Sequence, residues 1–425
     1  MSSLLKAWLK YQQAHVGSYI HRSKEYFVNK SLKLGLGQES FLSFLDRTHP
    51  GLHEERKKRL FYLSQRLPNT IVFTFRTLHF IDWFAPIHLA LERLFPGKFG
   101  VIYLDYATTL RRIGSGLEYL RYREQVQSRL LSMGIDPLNH FSHEELSSYQ
   151  IRPKWILGIT TETIRQENLD IPIRVYLPHY CLPKAIDHSL PKNIDFQHVL
   201  LPTRPPYTYE SLNSNTTSFK FELHHVGYPK ELLRVPQIKC FPNSNKPVVI
   251  YAPSLEIRLL MDTIKNGIID FFRNNTQWNF VVKLHPSLES RRHYISTYIK
   301  DELSGYNHIS VDALSNINSL NDEASVLITD FGSTGGEFSL KSGKRVIFLQ
   351  IPKRFEGGAD LKFRDDYADA VCPISELPQM LEKLISLGPL SNEELTRMRT
   401  KVLNCTAKSD EQAAKTLNQL ILNLN

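Results

Sequence analysis

The chain has 425 residues, which is too long for one ordinary hydrophobic core and suits two domains of about 200 residues each. Hydrophobic residues make up 42% and charged residues 22%, a balance that excludes a disordered or repetitive protein. The 52 Lys and Arg residues outnumber the 43 Asp and Glu residues and give a net charge of +9. This charge favours anionic partners such as nucleotides, phosphorylated polymers, nucleic acid or a membrane surface.

Signals for export, membrane insertion and metal binding are absent from the sequence. No run reaches the ~18 apolar residues of a membrane span, and the first residues lack the apolar core of a signal peptide. We therefore expect a cytoplasmic protein. The four cysteines form no CxxC pair, which predicts neither a zinc site nor a disulfide framework.

The first half of the chain begins with a sequence pattern typical of helices and continues as alternating strands and helices. Residues 1–67 predict a helical N-terminal region, whose basic HEERKKR segment at 53–59 is suited to peripheral contact with an anionic membrane. Short apolar, β-branched runs then recur at 70–75, 99–104, 155–160, 173–178 and 198–202. This alternation predicts a parallel sheet, and we assign residues 68–243 to a first Rossmann-like domain.

A second series of strands and helices follows a turn-rich stretch, KCFPNSNKP at 239–247, which has the composition of a linker. Strands and helices alternate from 247 to 350, including one helix predicted over 262–274, and closing helices follow from about 374. Residues 244–425 therefore form the second predicted Rossmann-like domain. Two such domains facing across a cleft are the GT-B architecture of glycosyltransferases, so the predicted fold class is α/β and GT-B-like.

The most informative segment is VLITDFGSTGGEFSLKSGKRVIFL at 326–349, where a strand ends, small residues form a turn and a helix begins. The start of a helix after small residues offers free N–H groups and a positive dipole end, which bind phosphate. Glu337 lies in the first turn, where it can accept hydrogen bonds from ribose hydroxyls. A tight turn without a ligand gives the same pattern. The candidate nucleotide-binding residues are Asp330, Ser333, Thr334, Gly335, Gly336 and Glu337.

Two histidines follow predicted strands and are candidates for catalysis. In KLHP, Lys283 and His285 lie at the carboxyl edge of the second sheet, where open α/β sheets bind ligands. His285 is suited to stabilising a leaving phosphate. In PHYCLPK, His179 is suited to removing a proton from a hydroxyl, and Lys184 follows five residues later. Each histidine also has a purely structural interpretation, as a cap or as a partner of a carbonyl group.

Taken in order, these motifs resemble those of the CDP-glycerol glycerophosphotransferases, which build and prime teichoic acids and related capsule polymers. The matching segments are PHYCLPK (178–184), VGYPK (226–230), YAPS (251–254), KLHP (283–286) and TDFGSTGGE (329–337). The resemblance implies a GT-B fold and one essential histidine in each domain, at His179 and His285. It also implies donor contacts from Ser333, Thr334 and Glu337, and substrate contacts from Lys184 and Lys230. Departures from the family pattern include Tyr180 in place of a glycine and Lys230 in place of an arginine.

The function implied is transfer of a glycerol-phosphate or sugar unit from a CDP- or CMP-type donor to a hydroxyl of a cell-surface polysaccharide or teichoic-acid-like acceptor. The second domain would bind the donor and the first domain the acceptor. No cluster of carboxylates has the spacing of a metal site, so we predict metal-independent transfer without a cofactor.

Two alternatives to this function remain open. One is a glycosyltransferase that uses a CMP- or UDP-sugar, which the glycine-rich turn favours. The other is a non-catalytic protein that binds a nucleotide-sugar or an anionic polymer. The dispersed Lys and Arg residues argue against a nucleic-acid partner. If His179 is not the base, His79 and Asp82 in FRTLHFID are the next candidates.

Overall fold

A computed structural model describes most of the chain beyond residue 49. The described residues are 50–66, 69–106, 116–148, 155–161, 170–178, 196–202, 221–233, 235–285, 288, 293–312, 316–330, 332–353, 364, 367–403 and 408–424. The chain divides into two compact units, each with its own sheet. Among the described residues, those from 50 to 233 and from 408 to 424 belong to the first domain, and those from 235 to 403 belong to the second.

The first domain contains a seven-stranded parallel sheet in the order β3-β2-β1-β4-β5-β6-β7. Its interior strands β1 and β2 are buried along their whole length, as is usual for parallel strands covered on both faces. The strands are β1 Thr70–Phe75, β2 Gly100–Asp105, β3 His140–Ser142, β4 Trp155–Thr160, β5 Ile173–Tyr176, β6 His198–Leu201 and β7 Glu222–His225. The helices described before residue 235 are α1 Pro50–Arg66, α2 Ile81–Leu94, α3 Gly116–Ser132 and α4 His143–Ser148.

The second domain contains a six-stranded parallel sheet in the order β10-β9-β8-β11-β12-β13. This is the strand order of a Rossmann fold, whose switch point lies between the two central strands, here β8 and β11. The strands are β8 Val248–Tyr251, β9 Asn279–Lys283, β10 Ile309–Asp312, β11 Ala324–Thr329, β12 Arg345–Leu349 and β13 Ala370–Cys372. The helices are α5 Ile257–Lys265, α6 Ile268–Asn274, α7 His293–Leu303, α8 Thr334–Ser342, α9 Leu377–Leu387 and α10 Asn392–Val402.

Two local predictions differ from the structure. The single helix expected over 262–274 is two helices, α5 and α6, because Gly267 between them has a φ of 95° and interrupts the helical path. Three strands, β3, β7 and β13, were not predicted. Each has only three or four residues and lies at an edge of its sheet, where a strand has no long apolar run for sequence patterns to detect.

The last described helix, α11 Ser409–Leu422, belongs to the first domain, although the sequence predicts that the C-terminal helices close the second. It packs against α2, and its apolar stripe is buried. Arg93 at the end of α2 pairs with Asp410 and Glu411 at 3.3 and 3.0 Å. The apolar stripe and these charges together explain why the chain returns to the first domain after residue 406.

The basic segment HEERKKR lies on α1, but Arg59 in it is turned inward. Arg59 is 1% exposed and pairs with Glu145 at 3.2 Å and Glu55 at 3.0 Å, and Arg123 of α3 joins the same network. Burial raises the pKa of Glu145, but Arg59 and Arg123 outweigh it and hold that pKa below its ordinary value. Arg59 and Arg123 thus connect α1, α3 and α4, and Arg59 adds nothing to a basic surface. Among the described residues, no helix has the length and apolarity that crossing a membrane requires.

Candidate functional site

The candidate site is the carboxyl edge of the second sheet, where the ends of β8 and β11 are joined by hydrogen bonds. Thr329 Oγ1 donates to the carbonyl of Ala252 at 2.7 Å, and the N–H of Ser254 donates to Asp330 Oδ1 at 2.7 Å. These bonds link the YAPS and TDFGSTGGE motifs at the switch point, where Rossmann folds bind their ligands. Asp330 is only 1% exposed. Its hydrogen bond with the N–H of Ser254 therefore holds the loop after β8 in place.

Helix α8 begins at this edge with first-turn N–H groups that its N-cap residue does not cover. Gly332 has a φ of 97°, a left-handed conformation that glycine adopts without strain. The Ser333 side chain makes no capping bond; its Oγ donates to Glu337 Oε1 at 2.9 Å. The N–H groups of residues 334–336 have no acceptor within the helix, so this end of α8 has the polarity and donors of an anion site.

The two adjacent glycines of α8 serve close packing. A Cβ atom on Gly335 would lie 2.5 Å from Cζ of Phe348 on β12, and one on Gly336 would lie 3.3 Å from the ring of Tyr367. Both glycines are buried. The structure thus gives a physical cause for the pair: it lets α8 approach β12 and brings the start of the helix to the sheet edge.

Lys283 and His285 lie at the end of β9, and β8 lies between β9 and β11. Val282 is level with Tyr251 and Tyr251 with Ile328, so the residues that follow, Lys283 and Thr329, are level at opposite sides of β8. Strand spacing separates their backbones by about 10 Å. The edge therefore brings together all the predicted donor-site residues, which are Lys283, His285, Asp330, Ser333, Thr334, Gly335, Gly336 and Glu337.

The environments of these two side chains differ. Lys283 is 6% exposed, and its Nζ donates to the carbonyl of Leu284 at 3.3 Å. Burial lowers the pKa of Lys283, and Asp312 on β10 opposes that shift only in part. His285 is half-buried, and its carbonyl accepts the N–H of Leu288 at 2.8 Å. An anion near Lys283 would favour its charged form.

In the first domain, the structure describes one of the predicted substrate residues. His179 and Lys184 lie outside the described residues, which stop at Pro178 after β5. Lys230 follows β7, and its Nζ lies 5.4 Å from the centre of the Trp83 ring on α2, a cation–π distance. Tyr228 packs edge-on against the same ring at 4.8 Å. The VGYPK segment is therefore attached to α2.

The two reserve candidates for a base are not equivalent. His79 is exposed in the turn after β1, at the carboxyl edge of the first sheet. Asp82 is 2% exposed, and its Oδ1 accepts two hydrogen bonds from Arg129 at 2.9 and 2.7 Å. A carboxylate engaged in this way is a poor base, so His79 is the better candidate of the two.

Comparison with known proteins places the chain by structure. No protein-family profile matches it, and no curated protein matches it. The wall teichoic acid polymerase TagF, in a variant soaked with CDPG, is 14% identical with a TM-score of 0.53, over 90% of this chain and 96% of that one. MnaA of S. aureus with UDP is 13% identical with a TM-score of 0.51, over 84% and 97%. A UDP-N-acetylglucosamine 2-epimerase is 11% identical with a TM-score of 0.51, over 84% and 96%.

The chain has a GT-B-like fold. The predicted α/β class with two Rossmann-like domains is confirmed, and the resemblance that the motifs predicted is found again in the structural similarity to TagF. At these identities the similarity establishes the fold alone.

Within this GT-B-like fold, sequence patterns missed two groups that shape the candidate site. Ser254 binds Asp330 through its backbone N–H, and Asp312 lies beside Lys283 in the neighbouring strand. The YAPS motif was a signal for the first. No signal pointed to Asp312, because its position depends on the pairing of β10 with β9.

Proposed function

We propose that this protein is a transferase that binds a nucleotide-activated donor at the carboxyl edge of its second sheet. It moves a glycerol-phosphate or sugar unit from a CDP- or CMP-type donor to a hydroxyl of a cell-surface polysaccharide or teichoic-acid-like acceptor. The observation that carries this proposal is the uncapped start of α8 beside the bonded ends of β8 and β11. The GT-B-like fold, shared with a polymerase soaked with CDPG and with a protein bound to UDP, supports it.

The donor phosphates bind to the N–H groups of residues 334–336, where the dipole of α8 favours negative charge. Glu337 accepts hydrogen bonds from the ribose hydroxyls, and its bond from Ser333 fixes its direction. Lys283 and His285, at the end of β9, face the developing charge of the leaving phosphate. Such preorganised donors lower the barrier by several kcal/mol without a metal ion.

The acceptor reacts through its hydroxyl group. His179 removes the hydroxyl proton while the oxygen attacks the donor, with Lys184 and Lys230 binding the substrate. With CDP-glycerol, a bond forms between the acceptor oxygen and the phosphorus that carries glycerol. The bond from that phosphorus to the bridging oxygen breaks, and CMP leaves with the electron pair. His285 and Lys283 stabilise the charge on CMP.

A sugar-nucleotide donor is the second candidate. The specific support is the similarity to MnaA with UDP and to an epimerase whose name includes UDP-N-acetylglucosamine. The same α8 end and Glu337 would hold the diphosphate and ribose, and the anomeric carbon would take the place of phosphorus as the attacked atom.

Nucleotide release distinguishes these functions. The purified protein is mixed with CDP-glycerol, CMP-sugars or UDP-sugars, each with and without a teichoic-acid-type acceptor, in the presence of EDTA. Acceptor-dependent release of CMP from CDP-glycerol supports the proposal, and release from a sugar nucleotide supports the second candidate. Tight nucleotide binding with no release from any donor would make the protein a non-catalytic binding protein.

Substitution of Glu337 tests where the nucleotide binds. Glu337→Ala is expected to weaken nucleotide binding roughly 10- to 150-fold, because a hydrogen bond to a charged group contributes about 1.5–3 kcal/mol. Ser333→Ala, which removes the bond that directs Glu337, should have a smaller effect in the same direction. Calorimetric titration with CDP-glycerol or UDP measures both. Glu382→Ala, on the exposed side of α9, is the control, and equal affinities in all three variants would contradict this assignment.

Contact with an anionic surface is a further part of the proposal. The net charge of +9 supports attraction to an acidic polymer or an anionic membrane. Arg59 does not contribute, because it is buried in ion pairs. Lys58, its exposed neighbour on α1, remains available.

A further inference from the structure

Three side chains of the types that can bind a metal ion lie close together on one face of the first sheet, on its last two strands. His198 begins β6, and Glu222 and His224 lie two residues apart on β7. His198 is level with Glu222, and alternation along β7 puts Glu222 and His224 on the same face. His198 and Glu222 are the first residues of their strands, and His224 is the third of the four residues of β7.

The distances between the ligand atoms match those around a four-coordinate metal ion. His198 Nδ1 lies 3.1 Å from His224 Nε2 and 3.4 Å from Glu222 Oε2, and His224 Nε2 lies 3.8 Å from the same oxygen. Zinc bonds of about 2.0–2.2 Å in a tetrahedron place ligand atoms about 3.3–3.6 Å apart. One ion therefore fits between the three atoms after shifts of a few tenths of an ångström.

The cluster is accessible from solvent on one side. The Glu222 side chain is 65% exposed, against 18% and 16% for the histidines, which leaves a path for the ion from solvent.

A hydrogen bond between the two histidines is the competing explanation. Neutral imidazoles can share one proton between Nδ1 and Nε2 at 3.1 Å. That bond joins the two nitrogens, but it does not explain why a carboxylate oxygen lies close to the same two nitrogens. Among the described residues, the ion pairs of Glu222 are only with these two imidazoles. A divalent cation would bind both nitrogens and balance the negative charge of the carboxylate.

We propose that His198, Glu222 and His224 bind one divalent transition-metal ion, with Zn²⁺ as the natural occupant and water in the fourth position. Two histidines and one carboxylate form a known zinc ligand set, and imidazole ligands favour zinc over magnesium or calcium. The ion would fasten the edge strand β7 to β6 and so fix the strand that leads into Gly227 and Lys230. The predicted metal-independent transfer involves none of these three ligands.

Cobalt titration of the tag-free protein, after removal of metals with EDTA, tests this site. One equivalent of Co²⁺ should bind with visible absorption bands of four- or five-coordinate geometry, and Zn²⁺ should displace it. His198→Ala and His224→Ala should each weaken Co²⁺ binding about tenfold or more, since even loss of an outer partner of a metal ligand costs 10–100-fold. Glu222→Gln, an exposed change that leaves the packing intact, should also weaken it.

His225→Ala is the matched control, because His225 is the next residue of β7 and lies on the opposite face. It should bind Co²⁺ like the unchanged protein. The site is disproved if the unchanged protein binds no Co²⁺, if Glu222→Gln and both histidine variants bind it with unaltered affinity, or if His225→Ala weakens binding as much as His224→Ala. These measurements do not depend on transfer activity, so they stand even if the proposed donor is wrong.

Discussion

Replacing His285 with alanine is expected to lower the rate of transfer at saturating donor by about 100-fold or more. His285 follows β9 at the edge that also carries the start of α8, and loss of an acid–base or electrostatic group commonly costs 10²–10⁴ in rate. Because His285 would act near the phosphates, some loss of donor affinity should accompany the loss of rate. Initial rates and a titration with CDP-glycerol separate the two effects.

The control for this variant is His308→Ala. His308 lies just before β10 in the same domain, and its Nε2 is 2.9 Å from the carbonyl of Phe272. This change should lower stability while the folded protein keeps its transfer rate. If His285→Ala transfers at nearly the rate of the unchanged protein, His285 has a structural role and the proposed stabilisation of the leaving group fails.

His179→Ala completes the test of the mechanism. It should lower turnover to a similar extent while donor affinity stays within a few-fold, since a base for the acceptor does not bind the nucleotide. Near-normal turnover would show that His179 is not the base. Exposed His79 would then be the next candidate, because Asp82 is held by Arg129.

Gly335→Ala is expected to destabilise the second domain by about 1–3 kcal/mol, as overpacking of a core does. The added methyl group would lie 2.5 Å from Cζ of Phe348 and 3.1 Å from Cγ2 of Thr329. Phe348 is 1% exposed, so its ring has no free space into which to turn. Alanine favours a helix over glycine by up to about 1 kcal/mol, which is too little to offset the clash. Urea unfolding, followed by a probe in the second domain, measures the change.

Gly336→Ala is the matched substitution one residue later. Its methyl group would lie 3.3 Å from the Tyr367 ring, a contact that a small shift relieves. The cost of that shift and the gain in helix propensity should nearly cancel, so stability should be nearly unchanged. Phe348→Leu should recover part of the stability lost in Gly335→Ala by removing the ring atom in conflict. Equal effects of the two glycine substitutions, or no recovery, would show that packing against β12 does not require Gly335.

The interior strands of both sheets were predictable from the sequence, and three of the four edge strands were not. Strands such as β1 and β11 are continuous apolar runs because helices cover both faces of a parallel sheet. The edge strand β7 reads ELHH and has no apolar run. The prediction that residues 244–425 form one domain missed the return of α11 for a similar reason. An amphipathic pattern shows that a helix is covered, without showing which neighbour covers it.

At the candidate site, the sequence predicted which segments meet but not how each side chain is used. Glu337 lies in the first turn of α8 as expected. Asp330, predicted as a nucleotide contact, accepts a hydrogen bond from the loop after β8, and the glycines of α8 lie against aromatic rings. These roles depend on the neighbours of each residue across the sheet, and those neighbours come from distant parts of the chain.

The return of α11 to the first domain has a consequence for synthesis of the chain on the ribosome. Residues 235–406 are made between the first sheet and the helix that covers α2, so α2 remains without this cover until the second domain has been translated. Domains often fold as they emerge. Here the second domain is complete before α11 emerges, and a chain truncated after residue 403 would carry a folded second domain and a first domain with an exposed apolar helix. Chaperones should bind such a chain through its amino-terminal half.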